Sequence, residues 1–292
     1  MKRRQTFGDI RRVIDPSVIG RFVRDLTGFR KIKAIYRSYA MLDLLEQGSA
    51  VSAADAREFN SRSRDEWVAD RARSVEPGSR VLDVGAGTAP YRDLFKHCRY
   101  ETQDFAQYDG YKGPEGEYGH IDYVSDITEI PVPDASFDVI LCTEVLEHVP
   151  RPIEALQEMA RITKPGGRLF LTAPLGSGLH QEPYHFYGGY TEHWYRKFLT
   201  EFACDVVSIE PNHGFFAHLG QECARFRWQF DRLKLDHGGY EEELTRMMAD
   251  VLPRYLYELD RRILLKEFTI GFHVEARRKE VATAQLQQLG EL

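Results

Sequence analysis

The stretch VLDVGAGTAP, residues Val81–Pro90, sets the fold expected of this chain. Its first four residues are apolar except for Asp83, and they run directly into the glycines Gly85 and Gly87. A buried strand that ends in such a turn is typical of α/β proteins, which hold a nucleotide-like ligand at the carboxyl end of the strand. Glycine turns also arise from packing alone, so this motif needs support from the rest of the chain.

Short apolar runs alternate with helical patterns on both sides of the motif. The β-rich runs are Arg80–Val84, Tyr100–Asp104, Phe137–Cys142 and Arg168–Ala173, then Asp205–Ile209 and LLKEFTIGFHVEARR. Helical patterns cover Pro90–His97, Pro152–Thr163 and Thr191–Phe202. This alternation predicts β-α-β units, whose right-handed crossovers bring the carboxyl ends of parallel strands to one edge of a sheet.

The 292 residues are expected to form one α/β core with helical additions. Residues 1–74 are predicted to be a helical extension or lid, with helices over Val18–Leu42 and Ala53–Ser74. The core is expected at 75–210 and 263–280. Residues 211–262, with helical patterns at Leu219–Leu235 and Tyr240–Leu259, are predicted to be a helical insertion that caps the acceptor.

The composition argues against a membrane-spanning protein and against a disulfide-rich protein. No run of eighteen apolar residues is present, and the basic start is followed by no apolar signal region, so we expect no transmembrane segment and a cytoplasmic protein. The four cysteines, Cys98, Cys142, Cys204 and Cys223, form no C-x-x-C pair, which predicts reduced thiols.

Charge is divided unevenly along the chain. Residues 1–37 hold eleven Lys and Arg against three Asp and Glu, a balance of +8, so the net charge of −6 leaves −14 for the remainder. Because an acidic body repels phosphate backbones, no nucleic-acid partner is expected. The basic segment has three interpretations, which are a solvated helix face, a lid for an anionic acceptor, and a contact with a membrane surface.

Residues after the later strands indicate which ligand the glycines hold. A dinucleotide site prefers a third glycine where Pro90 stands, and proline removes an amide that a pyrophosphate would use. Asp104 ends the second run, 19 residues after Gly85, where an acid can accept hydrogen bonds from ribose hydroxyls. Asp126 is placed to meet an adenine amine, with Ile127 on the ring, although a local turn explains Asp126 equally well.

Three segments carry a resemblance to a known family: VLDVGAGTAPYRDLF, SDITEIPVPDASFDVILCTEVLEHVPRP and LQEMARITKPGGRLFLTAP. Over about residues 75 to 210 the chain resembles the class I S-adenosylmethionine-dependent methyltransferases of the small-molecule branch. The resemblance implies a Rossmann-like, seven-stranded, mostly parallel sheet with an antiparallel last strand at Glu267–Arg277, and S-adenosyl-L-methionine as cofactor. The family often has a third glycine where Thr88 and Ala89 stand, so Thr88 is predicted to cap the next helix.

The same resemblance implies the cofactor contacts. Asp83, Gly85, Ala86 and Gly87 would meet the methionine end, and Asp104 with Phe105 the ribose. Asp126 and Ile127 would meet the adenine, and Thr143 with Glu144 the region of the sulfonium.

The segment LGSGLHQEPYHFYGGYTEHW after the fifth run supplies candidate bases. An activated methyl group needs an aligned nucleophile and, for a hydroxyl, one base, and we predict His185, His148 and Tyr187 for this chemistry. Each of the two histidines has an alternative, structural role in which its imidazole only forms hydrogen bonds with the backbone. No metal is predicted, because the order His180-x-Glu182-x-x-His185 differs from H-E-x-x-H and Pro183 interrupts a helix there.

The sequence thus predicts an enzyme that O-methylates a polar small molecule, such as a sugar, a glycan-linked unit or a natural-product scaffold. The acceptor is expected to be a small molecule, anionic if the basic segment binds it, and the protein a monomer or homodimer. Alternatives are N- or C-methylation, a non-catalytic cofactor-binding module docked by its basic helix, and a nicotinamide oxidoreductase.

Overall fold

The computed structural model describes residues 51–52, 54–111, 118–234 and 245–280. The helix predicted over Val18–Leu42 and the basic segment 1–37 lie outside these residues, as does the start of the pattern at Tyr240–Leu259. Among the described helices, none is both long enough and apolar enough to cross a bilayer.

Seven strands within the described residues form one sheet in the order β3-β2-β1-β4-β5-β7-β6. They are β1 Arg80–Val84, β2 Arg99–Asp104, β3 Tyr123–Val124, β4 Phe137–Thr143, β5 Thr163–Pro174, β6 Cys204–Pro211 and β7 Gly271–Arg278. Strands β1 to β5 pair in parallel, whereas β7 lies antiparallel between β5 and β6. The predicted fold class is confirmed. The strand order reverses between β1 and β4, which is where open α/β sheets form a ligand crevice.

Helices cover both faces of the sheet. They are α1 Asp55–Arg73, α2 Pro152–Ile162, α3 Glu192–Glu201, α4 Phe215–Leu233 and α5 Leu252–Asp260. Adjacent strand residues point to opposite faces, so Leu82 joins the core under α2 and α3 while Val81 joins a second cluster with Trp67 of α1. The near-continuous burial of the central strands follows from this two-sided cover.

The connection from β1 to β2 corrects one prediction. Instead of a helix over Pro90–His97, the chain forms only a 3-10 turn at Arg92–Phe95. Phe95 is fully buried and packs in one cluster with Trp67 of α1 on the same face of the sheet. Helix α1 therefore covers the face that a crossover helix would otherwise cover, and Thr88 has no α-helix to cap.

Further boundaries differ from prediction. Strand β5 begins at Thr163 rather than at Arg168. Helix α4 begins at Phe215, earlier than the pattern at Leu219 indicated. The last strand begins at Gly271, because Lys266–Phe268 form a separate 3-10 turn.

Asp260 ties the two helices of the segment 211–262 together. This residue ends α5 and is 4% exposed. Its carboxylate accepts hydrogen bonds from the amides of Gly214, at 3.0 Å, and Ala217, at 3.1 Å, at the start of α4. These are amides that a helix leaves without an internal partner.

Replacing Asp260 by Ala is expected to lower the free energy of unfolding by about 2 kcal/mol, since two buried amides lose a charged acceptor. Urea denaturation followed by tryptophan fluorescence measures this change. The matched control Asp205→Ala removes a carboxylate whose side chain is 70% exposed and should change stability by less than about 0.5 kcal/mol. Equal effects of the two substitutions would contradict the role given to Asp260.

Candidate functional site

The turn after β1 fits closely beneath the segment that follows β4. Gly85 and Gly87 have φ of 70° and 54°. A Cβ atom on Gly85 would lie 2.5 Å from Cγ2 of Val145, which is far inside an ordinary carbon contact. Gly85 is therefore required by its backbone conformation and by its neighbour, and the turn brings backbone close to the crevice.

Asp104 connects this turn to the end of β2. The side chain is 5% exposed, and its Oδ2 accepts from the Gly87 amide at 2.9 Å while Oδ1 accepts from the Ala106 amide at 2.8 Å. Burial raises the pKa of Asp104, against the lowering effect of these amides. Each carboxylate oxygen keeps lone-pair capacity for a further donor, so a contact with ribose hydroxyls stays a prediction that this geometry allows.

Asp83 is buried on the α1 face of β1 and is 2% exposed. Its carboxylate accepts a hydrogen bond from the Tyr100 hydroxyl, and burial raises its pKa to about 7. The neighbouring Ala86 donates its amide to the Gln103 carbonyl at 3.0 Å. Contacts of Asp83 and Ala86 with the methionine end of a cofactor remain predictions.

Replacing Asp83 by Asn is expected to stabilise the protein at pH 8. A carboxyl whose pKa rises on folding, here from 3.8 to about 7, binds its proton more tightly in the folded state, so its contribution to stability falls as pH rises through that range. We expect a gain of about 1–3 kcal/mol at pH 8 and little or none at pH 4. Thermal denaturation at both pH values checks this, and a difference independent of pH would contradict it.

Asp126 forms the local turn that the sequence left as its alternative role. Oδ1 accepts from the Thr128 amide at 2.8 Å and from the Thr128 hydroxyl at 2.7 Å, and these bonds hold its pKa below the usual value. Oδ2 lies 3.7 Å from Arg151. Ile127 is 9% exposed and packs in the core beneath the sheet edge. The adenine contacts of Asp126 and Ile127 stay predictions.

Glu144 lies where β4 ends, immediately after the half-buried Thr143. It has φ of 54°, and its Oε1 accepts from the Thr172 hydroxyl at 2.8 Å. Oε2 lies 3.7 Å from a guanidinium nitrogen of Arg64, which α1 brings to the strand edge. Sequence reasoning missed Arg64, because its partner lies far along the chain and no local motif marks it.

The segment 175–190 after β5 lies along the segment after β4. The amides of Phe186 and Tyr187 donate to the Glu147 carbonyl at 2.9 and 3.2 Å. The Tyr184 ring meets the ring of Phe105, the residue after Asp104, edge-on with centroids 5.0 Å apart. The histidine-rich segment is therefore brought close to the carboxyl ends of both β2 and β4.

Two of the predicted bases lie close together. The rings of His148 and His185 are 5.8 Å apart, and burial lowers the pKa of both, which favours the neutral form that accepts protons. His148 Nδ1 lies 2.5 Å from the Tyr184 carbonyl, and His185 Nε2 lies 3.1 Å from Ser177 Oγ. Both histidines therefore have the hydrogen-bond partners that a structural role requires, and both also lie where a catalytic base is expected.

Tyr187, the third predicted catalytic residue, has different hydrogen-bond partners from the two histidines. Its hydroxyl donates to the Pro150 carbonyl at 3.2 Å, and the side chain is 41% exposed. With Trp194 and Tyr190 it lines a cleft of about 340 Å³. A catalytic role for Tyr187 stays a prediction.

The site lies within a region with clear relatives. A family model described as a methyltransferase domain matches residues 54–187. The chain is 38% identical over 105 residues to the demethylmenaquinone methyltransferase of Renibacterium salmoninarum, covering 35% of this chain and 44% of that protein. It is 31% identical over 132 residues to the 27-O-demethylrifamycin SV methyltransferase of Amycolatopsis mediterranei, covering 39% and 48%. The chain spans about half the length of the curated relatives it matches.

Solved structures show lower similarity. An S-adenosylmethionine-dependent methyltransferase from Mesorhizobium loti is 16% identical with a TM-score of 0.42, covering 73% of this chain and 98% of that one. The fold assignment therefore rests on the strand order of this chain itself. Residues 54–187 thus match a methyltransferase domain, and the strand order is the one expected of the class I S-adenosylmethionine-dependent methyltransferases that the sequence resembles.

Proposed function

We propose that this chain binds S-adenosylmethionine at the ends of β1, β2 and β4 and methylates an oxygen atom of a polar small molecule. The observation that carries the proposal is the position of the histidine-rich segment 175–190, which contacts both Phe105 and the backbone of Glu147. Bases for an acceptor hydroxyl thereby lie beside the residues predicted to hold the cofactor.

The residues at the crevice suit this cofactor. The turn at Gly85 has no room for a side chain, and the buried Asp104 carboxylate offers acceptors for two hydroxyl groups. Bound S-adenosylmethionine supplies an electrophilic methyl group. The chain has to position the acceptor, exclude water and take the hydroxyl proton. We assign the proton to His185, because it is less deeply buried than His148.

The segment 211–262 is proposed to cap the acceptor together with α1. Asn212 Nδ2 donates to Asn60 Oδ1 at 2.7 Å, and Phe59 packs on Tyr257 with ring centroids 5.2 Å apart. These contacts join α1 to the segment at the carboxyl edge of the sheet. A cap that closes over the acceptor would favour transfer to the acceptor over loss of the methyl group to water.

Methylation of a quinol ring carbon is a second candidate. It is supported by relatives named demethylmenaquinone methyltransferase and ubiquinone/menaquinone biosynthesis C-methyltransferase. An apolar acceptor would suit the cleft lined by Tyr187 and Trp194.

The test measures both the binding of the cofactor and the transfer of its methyl group. Calorimetry with S-adenosylmethionine should show one site, and mass spectrometry with a trideuteromethyl cofactor should show label on hydroxyl acceptors from a panel that includes amines and quinols. His185→Ala should lower kcat by about 10² or more for a hydroxyl acceptor, whereas His193→Ala, exposed on α3, should not. Absence of cofactor binding would refute the proposal, and label on quinol carbon would favour the second candidate.

A further inference from the structure

Three side chains with metal-binding atoms meet beside the proposed active site. Glu147 and His148 follow β4, and His180 comes from the segment after β5. One ligand atom from each lies within 4.8 Å of the others. The ring of His185 lies 4.6 Å from that of His180, so a further imidazole borders the group.

The two histidines share an orientation that is typical of metal ligands. Nδ1 of His148 lies 2.5 Å from the Tyr184 carbonyl, and Nδ1 of His180 lies 2.8 Å from the Gly178 carbonyl. Because a carbonyl only accepts, Nδ1 carries the hydrogen in each ring and Nε2 keeps its lone pair. A backbone acceptor on the far nitrogen fixes the tautomer and orientation of many metal-binding histidines.

Glu147 supplies an independent indication. The residue is 1% exposed, and its Oε2 has no hydrogen-bond partner among the described residues. Its Oε1 lies 3.7 Å from His148 Nε2. Burying a carboxylate with too few donors is costly, and a cation bound at Oε1, beside His148, would compensate its negative charge.

We propose that Glu147, His148 and His180 bind a divalent transition-metal ion, with Zn²⁺ as the ion that best fits two imidazoles and a carboxylate. Ligand atoms on one tetrahedral Zn²⁺ lie about 3.4 Å apart, so the widest separation in the group has to shorten by up to about 1.4 Å. His180 is exposed, which leaves room for that movement. Three protein ligands leave one position for water or an acceptor oxygen.

The local order of His180, Glu182 and His185 does not match a metal-binding motif, and for that reason the sequence predicted no metal. The group instead takes Glu147 and His148 from another connection, and the exposed Glu182 has no part in it. Metal-bound His148 has no free lone pair, which leaves His185 as the base in the proposed function. The metal site itself does not depend on that function.

The test uses the full chain after chelator treatment and dialysis. Calorimetry with Zn²⁺ should show one site, Co²⁺ should give the visible absorption of a tetrahedral complex, and Mg²⁺ should give neither. His180→Ala and Glu147→Gln should each weaken Zn²⁺ binding by at least about 10-fold, whereas the exposed His193→Ala should bind as the wild type does. Thermal denaturation of each variant separates loss of a ligand from loss of folding.

Equal Zn²⁺ affinity of the wild type and folded His180→Ala would overturn the proposal, as would wild-type protein that binds no Zn²⁺. Titration of the same samples with S-adenosylmethionine tests the proposed function separately from the metal site. Metal binding without cofactor binding would refute only the proposed function, and the reverse result would refute only the metal site.

Discussion

Replacing Asp104 by Ala is expected to weaken the binding of S-adenosylmethionine by at least about 100-fold. Hydrogen bonds from hydroxyl groups to a buried carboxylate contribute about 1.5–3 kcal/mol each, and two ribose hydroxyls would lose their acceptor together. The Gly87 amide, which donates to Asp104 at 2.9 Å, would also lose its partner, so the glycine turn would be less well fixed. Calorimetry with the cofactor and with its demethylated product measures the change.

The control for this substitution is Asp93→Ala. Asp93 lies in the 3-10 turn after Gly87, and its side chain is 81% exposed, so its loss should leave cofactor affinity unchanged. Thermal denaturation shows whether the Asp104 variant still folds. A folded Asp104→Ala protein with wild-type affinity would exclude the ribose contact assigned to this residue.

The second large effect is expected at Gly85. In Gly85→Ala the new Cβ would lie 2.5 Å from Cγ2 of Val145, at a residue whose φ is 70°. The left-handed backbone costs about 1–2 kcal/mol for a residue with a side chain, and overpacking adds about 1–3 kcal/mol. We therefore expect the free energy of unfolding to fall by about 2–5 kcal/mol, as urea denaturation measures, and cofactor binding to weaken with it.

Gly78 provides a matched comparison, because its φ is 83° and a Cβ there meets no atom within 4 Å. Gly78→Ala should show the backbone cost alone. Adding Val145→Ala to Gly85→Ala removes the close contact and should recover part of the lost stability. If Gly78→Ala and Gly85→Ala are equally destabilising, Val145 does not restrict this turn.

Both predictions concern the ends of β1 and β2, whose positions the sequence predicted well. The alternation of apolar runs and helical patterns predicted the parallel sheet, because each strand buried on both faces needs a near-continuous apolar run. Asp104 was placed at the same edge as Gly85, since parallel strands share the direction of their carboxyl ends. Where the local pattern gave helical spacing after Pro90, the chain forms only a short 3-10 turn, because α1 already covers that face of the sheet.

The sequence by itself determined the alternation of strands and helices and the ligand-binding edge, and it placed the ends of most strands to within one or two residues, because these follow from periodicity and chain direction. Only the tertiary structure decided that Arg64 reaches Glu144 and that His180 meets Glu147 and His148. Those contacts join residues from separate connections, and their distances depend on how α1 and the segment after β5 pack on the sheet. Side-chain packing between distant segments leaves no periodic signal in the chain, so such contacts become visible only in the folded protein.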